Sequence, residues 1–123
     1  MLRSARQVVI ILRQKPRSFV EELAFVTSVG HRHGGDSRGE LKYGGAGPTI
    51  VITDLGTLRP DPETKELTMT ALHPGTTVEE AKEATGWDLK VAEGLETTDP
   101  PAERELKILR DFKDRTEVSR KRA

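Results

Sequence analysis

Leu72-His73-Pro74-Gly75-Thr76-Thr77-Val78-Glu79-Glu80-Ala81-Lys82-Glu83-Ala84-Thr85-Gly86-Trp87 places a strand end, a turn, a capped helix and a helix stop within one short run. A strand ending at Leu72 is halted by Pro74, which has no N–H for a ladder, and by Gly75, which supplies turn geometry. Thr77 then caps a helix, and Glu80 three residues later reaches back to the Thr77 N–H in a capping box. Val78, Ala81 and Thr85 give this helix a narrow buried stripe, Gly86 stands where a left-handed stop is expected, and Trp87 serves as a packing anchor.

Upstream, Leu67, Met69 and Ala71 alternate with Thr68, Thr70 and Leu72, the period of a half-buried strand. Thr49–Thr53 and Gly56–Arg59 lead into it through Pro60-Asp61-Pro62-Glu63-Thr64-Lys65, strong turn chemistry, so a β-hairpin is expected over about residues 50–72. Val8-Val9-Ile10-Ile11-Leu12 is short, β-branched and continuous, which predicts a strand covered on both faces. Ser18 is expected to start a helical turn through Phe19, Val20 and Leu23, and Phe25–Thr27 a short strand. Leu89–Val91 reads as a short edge strand.

Between Ser28 and Pro48 periodicity is lost in a segment holding seven glycines. A loop of that length inside a domain is usually functional or mobile. A last helix is expected with Asp99 as cap and Pro100 at its first position, one face marked by Ala102, Leu106, Leu109 and Phe112 or Lys113, and pairs Glu103–Lys107 and Arg110–Asp114 on the other. Residues 115–123 read as a frayed polar tail behind a single domain over 1–114. The fold class predicted is α/β: a small mixed sheet with a β-hairpin and covering helices.

Composition removes several function classes. Lys plus Arg and Asp plus Glu are 20 each, so no net field draws the 123-residue chain to nucleic acid or an anionic membrane. The longest apolar run, Val8–Leu12, excludes a membrane-spanning helix and a signal-peptide core, which points to a cytoplasmic soluble protein. Without cysteine there is no disulfide, no thiolate nucleophile and no Cys-based zinc site.

The order of blocks is itself distinctive. Phe19-Val20-Glu21, Phe25-Val26-Thr27-Ser28, Gly44-Gly45-Ala46-Gly47-Pro48, Asp54-Leu55-Gly56, Asp61-Pro62-Glu63-Thr64, the His73-Pro74-Gly75 turn with its helix and Thr85-Gly86-Trp87, then Asp88-Leu89-Lys90-Val91-Ala92 follow one another. This series resembles the carboxyl-terminal part of the β subunit of class I coenzyme A transferases, the glutaconate CoA-transferase β-subunit group in particular. The resemblance implies transfer of CoA between an acyl-CoA and a carboxylic acid of short or dicarboxylic type, with the CoA thioester as substrate and no permanently bound cofactor. It implies as partners an α subunit and the catalytic amino-terminal half of the β subunit, in a homo- or hetero-oligomer.

The family forms a glutamyl thioester on a glutamate that many members carry in a Ser-Glu-Asn-Gly-type turn, in the amino-terminal half of the β subunit. No such turn occurs in this chain, so no catalytic residue is carried over. Glu40, in Arg38-Gly39-Glu40-Leu41, is the one glutamate close to glycine in the long loop, and it reads as a solvated carboxylate pairing with Arg38 or Lys42. The chain opens as though the half bearing the catalytic glutamate were absent, by a split gene, a truncation or survival as a remnant. It is therefore expected to be inactive alone.

Gly44, Gly45 and Gly47 are the substrate-binding candidates. The segment lacks a P-loop ending and leads into strand residues, so its role is to let the backbone pass tightly by neighbouring structure; by family resemblance it lies near the CoA or acyl channel. His31 and His33 with Asp36 suggest a metal site only superficially, because residues at i and i+2 of an extended chain face opposite ways. No metal site is assigned. His73 is read as a hydrogen-bonded turn residue rather than a general base, and Arg13, Lys15 and Arg17 as a solvated turn rather than a phosphate site. Two other functions fit a chain of this kind: a non-catalytic module that binds itself or a partner through open sheet edges, and a component of a CoA-thioester hydrolase.

Overall fold

The computed structural model describes residues 6–40, of Glu40 the backbone only, and 45–122. A five-stranded mixed sheet in the order β1-β2-β3-β4-β5 is formed by β1 (Val8–Ile11), β2 (Pro48–Ile52), β3 (Gly56–Pro60), β4 (Leu67–Leu72) and β5 (Lys90–Thr97). The helices are α1 (Ser37–Glu40), α2 (Val78–Glu83) and α3 (Glu103–Arg122). The α/β class and the mixed sheet agree with the sequence reading. Among the described residues no helix is long and apolar enough to cross a membrane.

The hairpin expected over residues 50–72 is a pair of hairpins sharing β3, since β2–β3 and β3–β4 are both antiparallel. The first turn is held by Thr53, whose Oγ1 accepts from Leu55 N at 3.1 Å and Gly56 N at 3.0 Å. In the second, Asp61 Oδ1 accepts from Thr64 N at 2.8 Å and Glu63 N at 2.9 Å. Those backbone donors, Thr64 foremost, hold the Asp61 carboxyl below its usual range.

The strict alternation expected of β4 breaks at a bulge. Thr57 pairs with Ala71 but Leu58 pairs with Met69, which leaves Thr70 over; its Oγ1 donates to Thr57 O at 3.2 Å. The extra residue resets the facing of the strand, so Met69 and Leu72 both enter the core.

The core is one layer thick: Phe19, Val51, Leu58, Met69, Leu72, Ala81 and Leu89 are buried between the sheet and the α2 segment. Leu58, Met69 and Leu89, at 2% exposure or less, each contribute about 2 kcal/mol by removal from water. α2 forms as the sequence predicts. Glu80 N donates to Thr77 Oγ1 at 3.2 Å and Thr77 N to Glu80 Oε2 at 2.9 Å, and Ala81 and Thr85 are buried. Thr77→Ala is expected to cost about 1 kcal/mol by freeing the Glu80 N–H; a fall in the thermal midpoint of about 4 °C would show it.

Gly86 departs from its expected role. α2 ends at Ala84 with φ −80°, and Gly86 instead passes against the Phe19 backbone, donating its N–H to Phe19 O at 2.6 Å. A Cβ there would meet that oxygen at 2.6 Å. The approach brings Phe19 onto Trp87, with ring centroids 6.0 Å apart and planes 21° apart, so Trp87 is the anchor expected.

Other expectations are corrected. β1 is not covered on both faces: Ile10 and Leu12 pack on the core, but Val9 and Ile11 are 49% and 76% exposed, because the described residues place no layer on its second face. Residues 18–27 form neither the helical turn nor the strand. Ser18 N and Phe19 N both donate to Lys15 O, which closes a single turn, and Leu23, Phe25 and Val26 are exposed among the described residues. β5 is longer than expected and lies parallel to β4, carried by Val91 and Leu95 packing on the core and by the Lys90–Glu66 ion pair at 2.6 Å.

α3 starts later than its predicted cap. Asp99 lies outside it, and the first turn is held by Glu105, whose Oε2 accepts from Ala102 N at 2.8 Å. The helix runs on through Arg122 in place of a frayed tail. Glu103–Lys107 and Arg110–Asp114 are not within ion-pair distance; among the described residues Lys90–Glu66 is the ion pair present.

Candidate functional site

The parallel pair β1–β2, with Ser28–Gly30 and Arg38 of the glycine-rich segment, builds a recess beside Gly47. Val8 N donates to Gly47 O at 2.8 Å and Ala46 N to Arg6 O at 2.6 Å, so the Gly45–Pro48 segment runs as a continuation of the ladder. The intervening loop folds back over the start of both strands. His31 holds it there: its Nε2 donates to Pro48 O at 2.6 Å. Arg38, on the short α1, reaches across and donates from Nη1 to Gly30 O at 2.8 Å.

Beneath this strap lies a cavity of about 110 Å³, lined by Val8, Ile10, Ser28, Val29, Gly30, Arg38 and Pro48. Its walls are mostly apolar, with one guanidinium and one hydroxyl, and no carboxylate is among the lining residues. Such a surface can position a short acyl chain.

None of the predicted site residues lines this cavity itself; Gly47 borders two residues that do, Arg38 and Pro48. Gly47 is buried at its edge with φ +69°, and a Cβ there would fall 2.8 Å from Arg38 Nε, so only glycine lets the guanidinium close over the loop. Gly45 also has positive φ, at 77°, but is exposed. Gly44 lies outside the described residues, as does Lys42. Glu40 closes α1, and its side chain is likewise outside them. Arg38 entered the sequence reading only as a partner for Glu40; its place over Gly47 had no local signal, because it depends on how the long loop folds.

The remaining candidates lie apart from this cavity or are engaged by backbone groups. His73 Nε2 donates to Thr53 O at 2.8 Å, which leaves Nδ1 to accept from Thr98 Oγ1 at 2.6 Å. Both nitrogens are engaged, and the ring ties the β2–β3 turn to the end of β5. Arg13, Lys15 and Arg17 are exposed on a turn. His31 is committed to Pro48, and among the described residues no three His, Asp or Glu side chains converge as metal ligands.

The family model and the relatives at 48% and 34% identity are coenzyme A transferases. A family model described as coenzyme A transferase matches residues 1–84. The chain is 48% identical over 113 residues to the β subunit of the 3-oxoadipate CoA-transferase of Pseudomonas knackmussii, covering 92% of this chain and 44% of that protein. It is 34% identical over 106 residues to the β subunit of the glutaconate CoA-transferase of Acidaminococcus fermentans, covering 84% of this chain and 39% of that one. The crystal structure of glutaconate coenzyme A-transferase from Acidaminococcus fermentans superimposes with a TM-score of 0.79 at 29% identity, covering 89% of this chain and 42% of that chain. The decarboxylase AibA/AibB superimposes with a TM-score of 0.62 at 25% identity, over 86% and 38% of the two chains. The chain thus spans less than half the length of each of these relatives.

Proposed function

The chain belongs to the coenzyme A transferase family, and from that premise we propose that it is a partial β-subunit component. In this reading it works in CoA transfer between an acyl-CoA and a carboxylic acid once joined by an α subunit and a catalytic amino-terminal half. The observation that carries the proposal is the 48% identity to a transferase β subunit along 92% of the chain. The absence of a Ser-Glu-Asn-Gly-type turn in the sequence supports assigning the covalent step to another segment.

The contribution of this chain is a wall. Arg38 lines the apolar cavity and Gly47 leaves room for its guanidinium; we assign these residues, with Gly45 and Gly44 beside them in sequence, to the acyl end of the substrate channel. The two named relatives act, by their names, on 3-oxoadipate and glutaconate, so a dicarboxylic acyl group is the substrate class proposed. The CoA thioester is then a substrate and not a resident cofactor, and the location proposed is the cytoplasm.

The test uses the purified chain with an acyl-CoA donor and 3-oxoadipate or glutaconate as acceptor. No new thioester is expected from the chain alone. Turnover is expected when the α subunit and the amino-terminal half are added. Turnover by the isolated chain would overturn the partial-component reading, and an inactive complete mixture would overturn the transferase reading. Free CoA released without acceptor would instead favour thioester hydrolysis, and loss of CO₂ would favour the reaction that the name of the decarboxylase AibA/AibB carries.

A further inference from the structure

α3 is 20 residues long and buries none of them. Leu109 is 50% exposed, Ile108 57% and Phe112 60%, and with Leu106 they recur at helical spacing to make one apolar face. No strand or helix of the described chain covers that face.

The charges on α3 indicate what would cover it. On that face, residues at equal distances on either side of Leu109 are matched: Leu106 with Phe112 and Glu105 with Lys113. In an antiparallel pair of identical helices related by a twofold axis, residue i of one copy faces its mirror position j in the other, and j faces i. The matched positions are therefore the ones that meet. A parallel pair would instead set Glu105 on Glu105 and Lys113 on Lys113.

Glu105 and Lys113 are the decisive pair, because they lie four residues from Leu109 on the apolar side of the helix, at the margin of the Leu106–Leu109–Phe112 patch. Neither forms an ion pair within its own described chain. Antiparallel packing also sets the acidic first turn, Glu103 and Glu105, near the basic half of the partner helix and opposes the two helix dipoles.

We propose that two copies of this chain associate through α3, antiparallel, about a twofold axis beside Leu109. The proposal is independent of the CoA reading. A helix-sized patch falls below the standard interface area of about 1,600 Å², so the association is reversible and is to be sought in a protein concentration series.

Sedimentation velocity on the full chain should show a dimer at the top of that series and a monomer for Leu109→Lys, an exposed change that leaves the circular dichroism spectrum intact. Lys113→Glu should weaken the dimer, and Glu105→Lys combined with Lys113→Glu should restore it, since the exchanged charges face each other again. The chain has no cysteine, so Leu109→Cys is a single probe that should cross-link to its own copy on oxidation, while Val118→Cys on the opposite side should not. A monomeric wild type would overturn the proposal. So would a dimer that survives Leu109→Lys, a charge exchange that fails to restore it, or equal cross-linking at both cysteines.

Discussion

Gly56→Ala is expected to lower stability by about 4 kcal/mol, through overpacking and backbone strain at a site that cannot relax. Gly56 opens β3 directly opposite Leu72, next to the bulge that sends both Met69 and Leu72 into the core. A Cβ there would lie 2.2 Å from Ala71 O, 3.1 Å from Leu72 Cα and 3.1 Å from Met69 Sδ. Two of those three atoms are backbone, held in register by the β3–β4 ladder. Gly56 cannot retreat either. Its N–H donates to Thr53 Oγ1 at 3.0 Å, and its carbonyl accepts from Thr53 N at 2.8 Å. A thermal midpoint lower by about 15 °C, read by circular dichroism, is the expected result. Gly94→Ala in β5 is the control: nothing lies within 4 Å of its Cβ position, and the midpoint should stay within about 3 °C. A Gly56→Ala protein as stable as the control would show that the β3–β4 bulge is not a tight joint.

That joint also marks where sequence stopped predicting structure. The elements read correctly were those whose cause is local: the Thr77–Glu80 capping box, the Asp61 turn, the β-branched runs of β1 and β2. The misread ones depend on distant partners. Val9 and Ile11 have the composition of a doubly covered strand, yet coverage depends on what packs beside β1, and the described residues put nothing there. Phe25-Val26-Thr27 has strand propensity but no neighbour to pair with. Gly86 has the position of a helix stop, while its reason for being glycine lies 67 residues earlier, at Phe19 O. The cavity was legible only as a run of glycines. Its defining contact, Arg38 over Gly47, joins the middle of a loop without periodicity to its end. The family, by contrast, was readable because its blocks keep their order whatever each block does in three dimensions.

Gln14 shows the same dependence on distant partners, and its replacement is the second large effect expected. At 4% exposure it joins three segments that share no secondary structure. Its Nε2 donates to Ala81 O at 3.2 Å and to Thr85 Oγ1 at 2.9 Å, both in the α2 segment, and its Oε1 accepts from Thr53 Oγ1 at 2.9 Å in the β2–β3 turn. Its backbone N–H donates to Asp54 Oδ1 at 2.8 Å, which fixes the chain leaving β1 to that same turn. Gln14→Leu keeps the volume and removes three side-chain bonds, so about 3 kcal/mol of stability is expected to be lost, near 1 kcal/mol for each bond. Gln14→Glu separates hydrogen bonding from shape. Its carboxylate would be buried against Ala81 O with no cation beside it, and desolvation would raise its folded pKa above the unfolded value. For an acid raised in this way the penalty is full above the folded pKa, and it lessens as pH falls through that value toward the unfolded one. Denaturant unfolding should therefore show Gln14→Glu less stable than Gln14→Leu at pH 8 and the gap narrowing toward pH 5, where the protonated acid can again donate to Ala81 O. A gap that does not change with pH would mean that the side chain at this position reaches water, and that the helix is held to the sheet by its apolar stripe alone.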